Sequence, residues 1–311
     1  MRIAYVETDH AIGEDFRGNP KDSQALLTGD EGAVDNYRLG FSRQTGPFFS
    51  PRHAHNFDQI RIVLGGGPMN YGPDRWIQPG EIAYFPEGTP YGPQDYDTPR
   101  FGMTFQFGGA SGSGYISQSR MMQGIEELKP FGTFERGIFR RSGELPPGMR
   151  RERDSYEAVW EHINGRPLEY PKPRYDEPIL MKPAHFTWLV DPDQVDVAIK
   201  RLGTFSERRL EIAMLRIGPR AQARIPARRS TQIGVMISGT GRAGDHDLRP
   251  QAAFSIDRDE GAVIAAATKI EMLLVGLPIF EEHERYPHRE EERARYPCHP
   301  ERSEAKSKDS R

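Results

Sequence analysis

Two histidines one residue apart, His53 and His55, open the stretch in which this sequence concentrates its reactive side chains. In an extended segment, residues two apart point to the same side, so both imidazoles face one way. The run that follows, Gln59-Ile60-Arg61-Ile62-Val63-Leu64, alternates in polarity and ends at Gly65-Gly66. Gln59, Arg61 and Val63 fall on one face, and Ile60, Ile62 and Leu64 on the other. Two imidazoles, an amide and a guanidinium on one side suit a lined pocket better than an ordinary core. Imidazoles exchange protons near neutral pH and ligate metals, and a guanidinium holds carboxylates or phosphates. The plainer readings are histidines bonded inside a closed barrel and an Arg61 ion pair with a neighbouring strand.

Such a pocket needs walls, and the surrounding sequence supplies short strands. Alternating segments recur at Tyr37-Arg38-Leu39-Gly40-Phe41, Gln59 to Leu64, Arg75-Trp76-Ile77, Glu81 to Phe85 and Phe101 to Phe107. Gly65-Gly66-Gly67-Pro68, Pro79-Gly80 and Pro86-Glu87-Gly88 punctuate them. Strands at this spacing with such turns predict an antiparallel barrel or sandwich. Trp76, Phe85, Met103, Phe105 and Phe107 are expected in the core or an apolar pocket wall.

The 311 residues suffice for two domains with separate cores. A formal charge of −3, without a basic stripe among aromatics, gives no reason to expect nucleic acid. The single cysteine, Cys298, excludes an internal disulfide. With no apolar leader and no run of membrane length, the expectation is a cytoplasmic protein that handles a small molecule.

Beyond the stretch Gly108 to Gly114, helical spacing takes over at Ser117 to Lys129 and Arg153 to Ile163. Asp154 is the expected N-cap, with Glu157 completing a capping box and Gly165-Arg166-Pro167 stopping the helix. A proline-rich connector from Pro167 to Pro183 reads as a clamp across the surface. A second β-rich region, Leu210 to Leu277, can be laid over the first. Gln232 to Gly239 matches Gln59 to Gly66, Glu260 to Ile264 matches Pro79 to Ala83, and Ile270 to Val275 matches Gly102 to Phe107. The chain thus divides into an arm (1–35), a first barrel (36–110), a helical and proline-rich connector (111–185), a second barrel (186–280) and a charged tail (281–311). The tail is expected to be disordered, and its His288, Cys298 and His299 are assigned no function.

These features resemble the cupin superfamily of RmlC-like barrels. Its first motif runs Gly, five residues, His-x-His, three or four residues, Glu, six residues, Gly. His53, His55, Gln59 and Gly66 follow it, with Gln in place of Glu and Gly46 one residue too far upstream. The second runs Gly, five residues, Pro-x-Gly, two residues, His, three residues, Asn. Gly80, Pro86 and Gly88 keep that spacing, with Tyr91 for the histidine and Asp95 for the asparagine. The resemblance covers residues 36–107 and, in degenerate form, 203–278. In the second copy Pro226, Arg228 and Gln232 stand at the ligand positions and Ala267 in the place of Pro86. The implied fold is an all-β bicupin: two antiparallel jelly-roll barrels, a short helical insertion between them, and only the first barrel able to work.

For the pocket, the resemblance implies a divalent metal ion (Fe, Mn, Ni or Zn) on His53, His55 and Gln59, with Tyr91 as a further oxygen donor. The activity implied is a dioxygenase-type oxidoreductase whose small anionic or oxygenated substrate is oriented by Arg61. Gln59 brings no charge to offset a dication, and Asp58 faces away unless a bulge recruits it. A metal-independent isomerase or epimerase, with Tyr91 as general acid and a histidine as base, is the second reading. A non-catalytic small-ligand-binding cupin is the third. Arg224, Arg228 and Arg229 form a basic cluster that reads as a solvated loop or an anion site. Strand edges leave a homodimer open.

Overall fold

Alternation in the sequence becomes two-sidedness in the fold. The computed structural model describes residues 1–7, 13–14, 20–145 and 148–286. Along the chain its principal strands are β1 (Arg2–Ala4), β2 (Pro20–Thr28), β3 (Tyr37–Gln44), β4 (Asp58–Gly66), β5 (Ile82–Phe85) and β6 (Arg100–Phe107). Two helices follow, α1 (Gln118–Leu128) and α2 (Ser155–Asn164), then β7 (Ile179–Met181), β8 (Val197–Phe205), β9 (Leu210–Ile217), β10 (Gln232–Ser238), β11 (Ala253–Ile256) and β12 (Ile270–Gly276). One sheet runs β7-β5-β4-β6-β3-β2 and the other β1-β11-β10-β12-β9-β8, antiparallel throughout. Shorter strands complete each barrel, among them Phe48–Ser50 with Gln94–Tyr96 in the first and Gln222–Ile225 with Ala262–Ala266 in the second. The chain is thus two jelly-roll barrels with a helical insertion.

The apolar faces of the two sheets pack against each other. Leu39, Phe41, Ile60, Ile62 and Phe105 of the first share one core with Leu210, Ile212, Ile233 and Val275 of the second. Burial of these aliphatic side chains, worth roughly 1.5–3 kcal/mol each, fixes the register. A slip of one residue would turn Ile60 and Ile62 inward and Gln59 and Arg61 into the core. Each sheet also borrows an edge strand: β7, from the proline-rich connector, pairs with β5, and β1 crosses to pair with β11. The first sheet reaches upstream of residue 36, since β2 pairs with β3.

Local signals set the helix ends. Ser117 caps α1 by accepting from the Arg120 N–H, and Asp154 caps α2 by accepting from Tyr156 and Glu157. Gly165 ends α2 at φ 63°, a conformation that costs glycine little. The capping box is not completed as expected: the Glu157 carboxylate accepts instead from the Tyr170 hydroxyl at 3.0 Å.

Order extends past Glu281. Glu282–Arg285 forms a helical turn, tied down by Arg208 to Glu284 at 2.8 Å and by Arg285 to Asp35 at 2.8 Å. The rest of the tail, with His288, Cys298 and His299, lies outside the described residues. Among the described residues, no helix is long and apolar enough to cross a membrane.

The internal repeat runs in a different register from the one expected. Phe85 lies opposite Gln59 and Ile256 opposite Gln232, so β11, not Glu260–Ile264, is the counterpart of β5. The turns before these strands agree: Gly80 donates to Val63 O and Gln251 to Met236 O, both at 2.8 Å. Asp257, not Ala267, therefore stands where Pro86 does. Gln106 and Gly276 occupy equivalent places opposite Gln59 and Gln232, which aligns Val275 with Phe105 rather than Phe107.

Candidate active site

The His-x-His segment is held in place by the turn that carries the second motif. His53 and Tyr91 exchange backbone bonds of 3.0 and 2.9 Å, and the Gly88 N–H donates to His55 O at 2.7 Å. Gly88 has φ 75°, and a Cβ there would run into the Pro171 carbonyl of the connector. Glycine serves both demands at once. Behind His55, Phe57 stacks at 4.4 Å between ring centroids, and Tyr156 of α2 meets it edge-on at 5.3 Å. The Tyr156 hydroxyl donates to Asn56 Oδ1 at 2.5 Å, so the helical insertion braces the histidine segment.

The four side chains expected to share a face do so, and they converge on one atom. Tyr91 Oη lies 3.1 Å from His53 Nε2, 3.0 Å from His55 Nε2, 3.2 Å from Gln59 Nε2 and 3.2 Å from Arg61 Nη2. A phenol offers one proton and two lone pairs, so it cannot bond all four at once. His53 Nδ1 sits 2.6 Å from the Pro51 carbonyl, which only accepts; the bond pattern therefore assigns that nitrogen the proton. In the neutral ring Nε2 is then an acceptor for the phenol proton. Gln59 and Arg61 donate to the lone pairs, and the two imidazoles are left to share one proton.

The polar faces of β3, β4 and β6 line a cavity of about 140 Å³, well below the roughly 300–1,000 Å³ of pockets for drug-sized ligands. His53, His55, Gln59 and Arg61 line it together with Arg38 and Arg100, and no Asp or Glu does. Tyr91 is not in the lining. It is buried behind the four side chains it organises, backed by the Phe85 ring at 4.6 Å. Arg61 also donates to Gln94 Oε1 at 3.2 Å, an amide fixed by its own bond to Asn70 O. Arg100 bonds the Tyr96 hydroxyl and stacks over that ring at 4.0 Å. Burial, with Arg61 nearby, lowers its pKa to about 9. Arg38, on β3, donates to Ser23 Oγ at 3.3 Å and is lowered by burial as well.

One expectation needs correcting. Trp76, taken as core or pocket wall, is 40 % exposed on a hairpin, because the strand turns its neighbour Ile77 inward and alternation then points Trp76 out. Phe85, Met103, Phe105 and Phe107 are buried as expected, the last three in the core between the sheets. Asp58 is not drawn into the site: it is buried on the far side, accepting from the Glu87 N–H at 2.8 Å. The divalent metal expected on His53, His55 and Gln59 is to be weighed against the donor chemistry. Two imidazoles, an amide and a phenol carry no carboxylate or thiolate, and among the described residues no group of three His, Cys, Asp or Glu could hold an ion. The Arg61 guanidinium bonds one of these donors, the Tyr91 oxygen, at 3.2 Å. A dication on that oxygen would be repelled by the guanidinium, with no anion to offset it. His53, His55 and Gln59 converge, but this donor set does not fit a divalent ion.

No family model matches the chain, and no curated protein does. Solved structures do share its architecture. A provisionally assigned dioxygenase from Nostoc punctiforme is similar over 90 % of this chain and 79 % of its own, with TM-score 0.51 and 11 % identity. The bacterial pirin YhhW from Escherichia coli, solved in complex with nickel(II), is similar over 90 % of this chain and 99 % of its own, with TM-score 0.50 and 9 % identity. The fold is that of a bicupin. At these identities the likeness is one of fold alone.

The second barrel of this bicupin carries a different set at the matching places. Gln232 donates to Pro226 O at 2.8 Å, and Arg228 pairs with Glu211 at 2.9 Å. Arg229 pairs with Glu281 at 2.6 Å, so two of the three clustered arginines are held in ion pairs, while Arg224 lines the second barrel's cavity. In the first barrel, Arg38 and Arg100 were missed in the sequence. Arg38 had a signal: it alternates with Tyr37, Leu39 and Phe41 and so shares the polar face. Arg100 stands at a strand's first residue, where alternation gives no direction.

Proposed function

We propose that the first barrel binds a small organic anion and moves a proton on it without a metal, in an isomerase- or epimerase-type reaction. One observation carries this reading: His53 and His55 line the same small cavity as Arg38, Arg61 and Arg100, with no carboxylate among them. The arginines supply charge and bidentate donors for the anion. His53 and His55 line the cavity and form one proton-sharing unit with the Tyr91 hydroxyl, to which both Nε2 atoms turn, and that unit takes up and returns the substrate proton. Tyr91 is thus read as a positioning residue and Arg61 as a substrate-binding one. A cavity this size suits a short-chain acid and excludes polycyclic substrates.

The test combines three measurements. Small hydroxy and keto acids are titrated calorimetrically, and binders are incubated with the protein in D2O and followed by NMR. Deuterium entering the carbon next to the carboxylate, lost in His53→Ala and His55→Ala, is the expected result. Binding without exchange in any acid would make the barrel a non-catalytic binder. Stoichiometric divalent metal in the purified protein, lost on His53→Ala, would overturn the metal-free reading in favour of a centre on His53, His55 and Gln59.

A further inference from the structure

We propose that this cavity is shaped for a dianion, a short-chain dicarboxylate with one carboxylate on Arg38 and the other on Arg61 and Arg100. The inference rests on the anion-binding reading above and specifies its ligand. Its first support is a count of charges. The Nε atoms of Arg38, Arg61 and Arg100 are all buried without a hydrogen-bond partner, and among the described residues none of the three arginines forms an ion pair. Their bonds go to neutral groups: Ser23, Gln94, Tyr91, Met69 and Tyr96. Other half-buried arginines are matched by acids, as Arg174 is by Glu87 and Glu207, and Arg208 by Glu284; Arg141, whose Nε is also buried without a partner, stands apart from this cavity. Arg38 is buried and Arg61 and Arg100 are half-buried around one small cavity, and the Arg100 pKa is lowered first by burial and then by the charge of Arg61. A single carboxylate would answer one of them. Two would answer most of the excess.

The second support is where the cations stand. Arg38 folds its guanidinium over Gly40, in space that a Cβ at residue 40 would fill. Gly40 lies opposite Thr104, and Thr104 lies opposite Arg61. Arg38 and Arg61 therefore flank β6 from its two sides, on strands two spacings, about 10 Å, apart. Approaching from opposite sides of β6, each can take its own carboxylate. Two carboxylates on a short chain serve both, and the volume of about 140 Å³ limits that chain to a few carbons.

The experiment is calorimetric titration with malonate, maleate and succinate against acetate and butyrate, on the full chain. The best dicarboxylate should bind on the order of thirtyfold tighter than the best monocarboxylate. Arg38→Gln should erase that advantage, costing dicarboxylate affinity on the order of ten times more than monocarboxylate affinity, whereas Arg61→Gln should weaken both classes alike. Gly40→Ala keeps all three charges but displaces Arg38, so it should reproduce Arg38→Gln, and melting curves of each variant verify folding. Equal binding of mono- and dicarboxylates, or equal losses of both in Arg38→Gln, would overturn the dianion while leaving the anion site intact. Binding of neither class would remove the anion site itself.

Discussion

The two barrels share a backbone plan and differ in what they put inside it. In the first, Arg61 on β4 faces Ala83 on β5. At the matching pair in the second, Gly234 faces Phe254, whose ring fills the space that a side chain at 234 would take. Large and small have changed places, and a cation has become a packed ring. Arg38 in the first barrel corresponds to Glu211 in the second, and Gln106 to Gly276, as their strand registers require. Glu211 is neutralised by Arg228, whereas Arg38 has no acid beside it. The first barrel keeps unanswered charge around a cavity of about 140 Å³ at a cost in stability; the second packs Phe254 where Arg61 would reach and lines a wider cavity, about 710 Å³, with Glu211, Gln232 and Gly276. In a duplicated fold, the copy with the worse-satisfied interior is the one to search for a ligand.

Substitutions that undo this contrast should separate stability from binding. The largest effect is expected from Phe254→Ala, which empties a fully buried ring position beside Gly234. A loss of about 3–5 kcal/mol in urea unfolding is expected; a loss under about 1 kcal/mol would mean the second barrel is not packed around that ring. Next comes Arg61→Met, which makes the first barrel more like the second. Anion affinity should fall on the order of a hundredfold, while the melting temperature holds or rises because a half-buried cation with no acid beside it among the described residues is gone. A lower melting temperature with unchanged affinity would reverse the assignment. Tyr91→Phe removes the oxygen shared by His53, His55, Gln59 and Arg61. It should cost about 2 kcal/mol in stability and lower turnover more than it raises KM. Full activity in that variant would show that the four side chains hold their places without it.

Much of the first barrel was legible, and the reason is periodicity. The run from Gln59 to Leu64 has strict alternation between a hydrophobic sheet interface and a polar interior, so its faces could be read directly. The second barrel was misaligned because its turns abandon glycine. The backbone that Gly80 adopts at φ 84° is adopted by Gln251 at φ 67°, and that of Gly88 at φ 75° by Asp259 at φ 61°. With those landmarks replaced, Glu260-Gly261 mimicked Pro79-Gly80 and drew the match ten residues downstream of Gln251, the true counterpart of Gly80. Asp is among the residues that tolerate the left-handed region; Gln is less so, which is why its turn left no signal. The shared hydroxyl of Tyr91 and the inward Arg100 were illegible for another reason. Both depend on which strands become neighbours, and no local pattern records that.

The smallest effect concerns the polar face turned away from the cavity, where the barrels differ again. Asp58 and Glu87 are both buried in the first barrel, bridged by the Glu87 N–H, and Arg174 reaches Glu87 at 2.5 Å. The register places Thr231 and Arg258 at these positions in the second. Burial pushes the Asp58 carboxyl up to about 7, and the neighbouring Glu87 adds to the rise. A carboxyl whose folded pKa lies above its ordinary value of 3.8 binds its proton more tightly in the folded state. The stabilisation from that proton is complete below about pH 4 and is lost as pH rises through about 7. Asn at this position keeps the neutral form at every pH and can still accept from the Glu87 N–H. Between pH 6 and 8, Asp58→Asn should therefore gain about 1.4 kcal/mol relative to wild type. Melting curves of the two proteins across that range should diverge as pH rises. Parallel curves would mean that Asp58 is already ionised in the folded barrel, and that Arg174 neutralises the buried acid pair as fully as Arg228 neutralises Glu211.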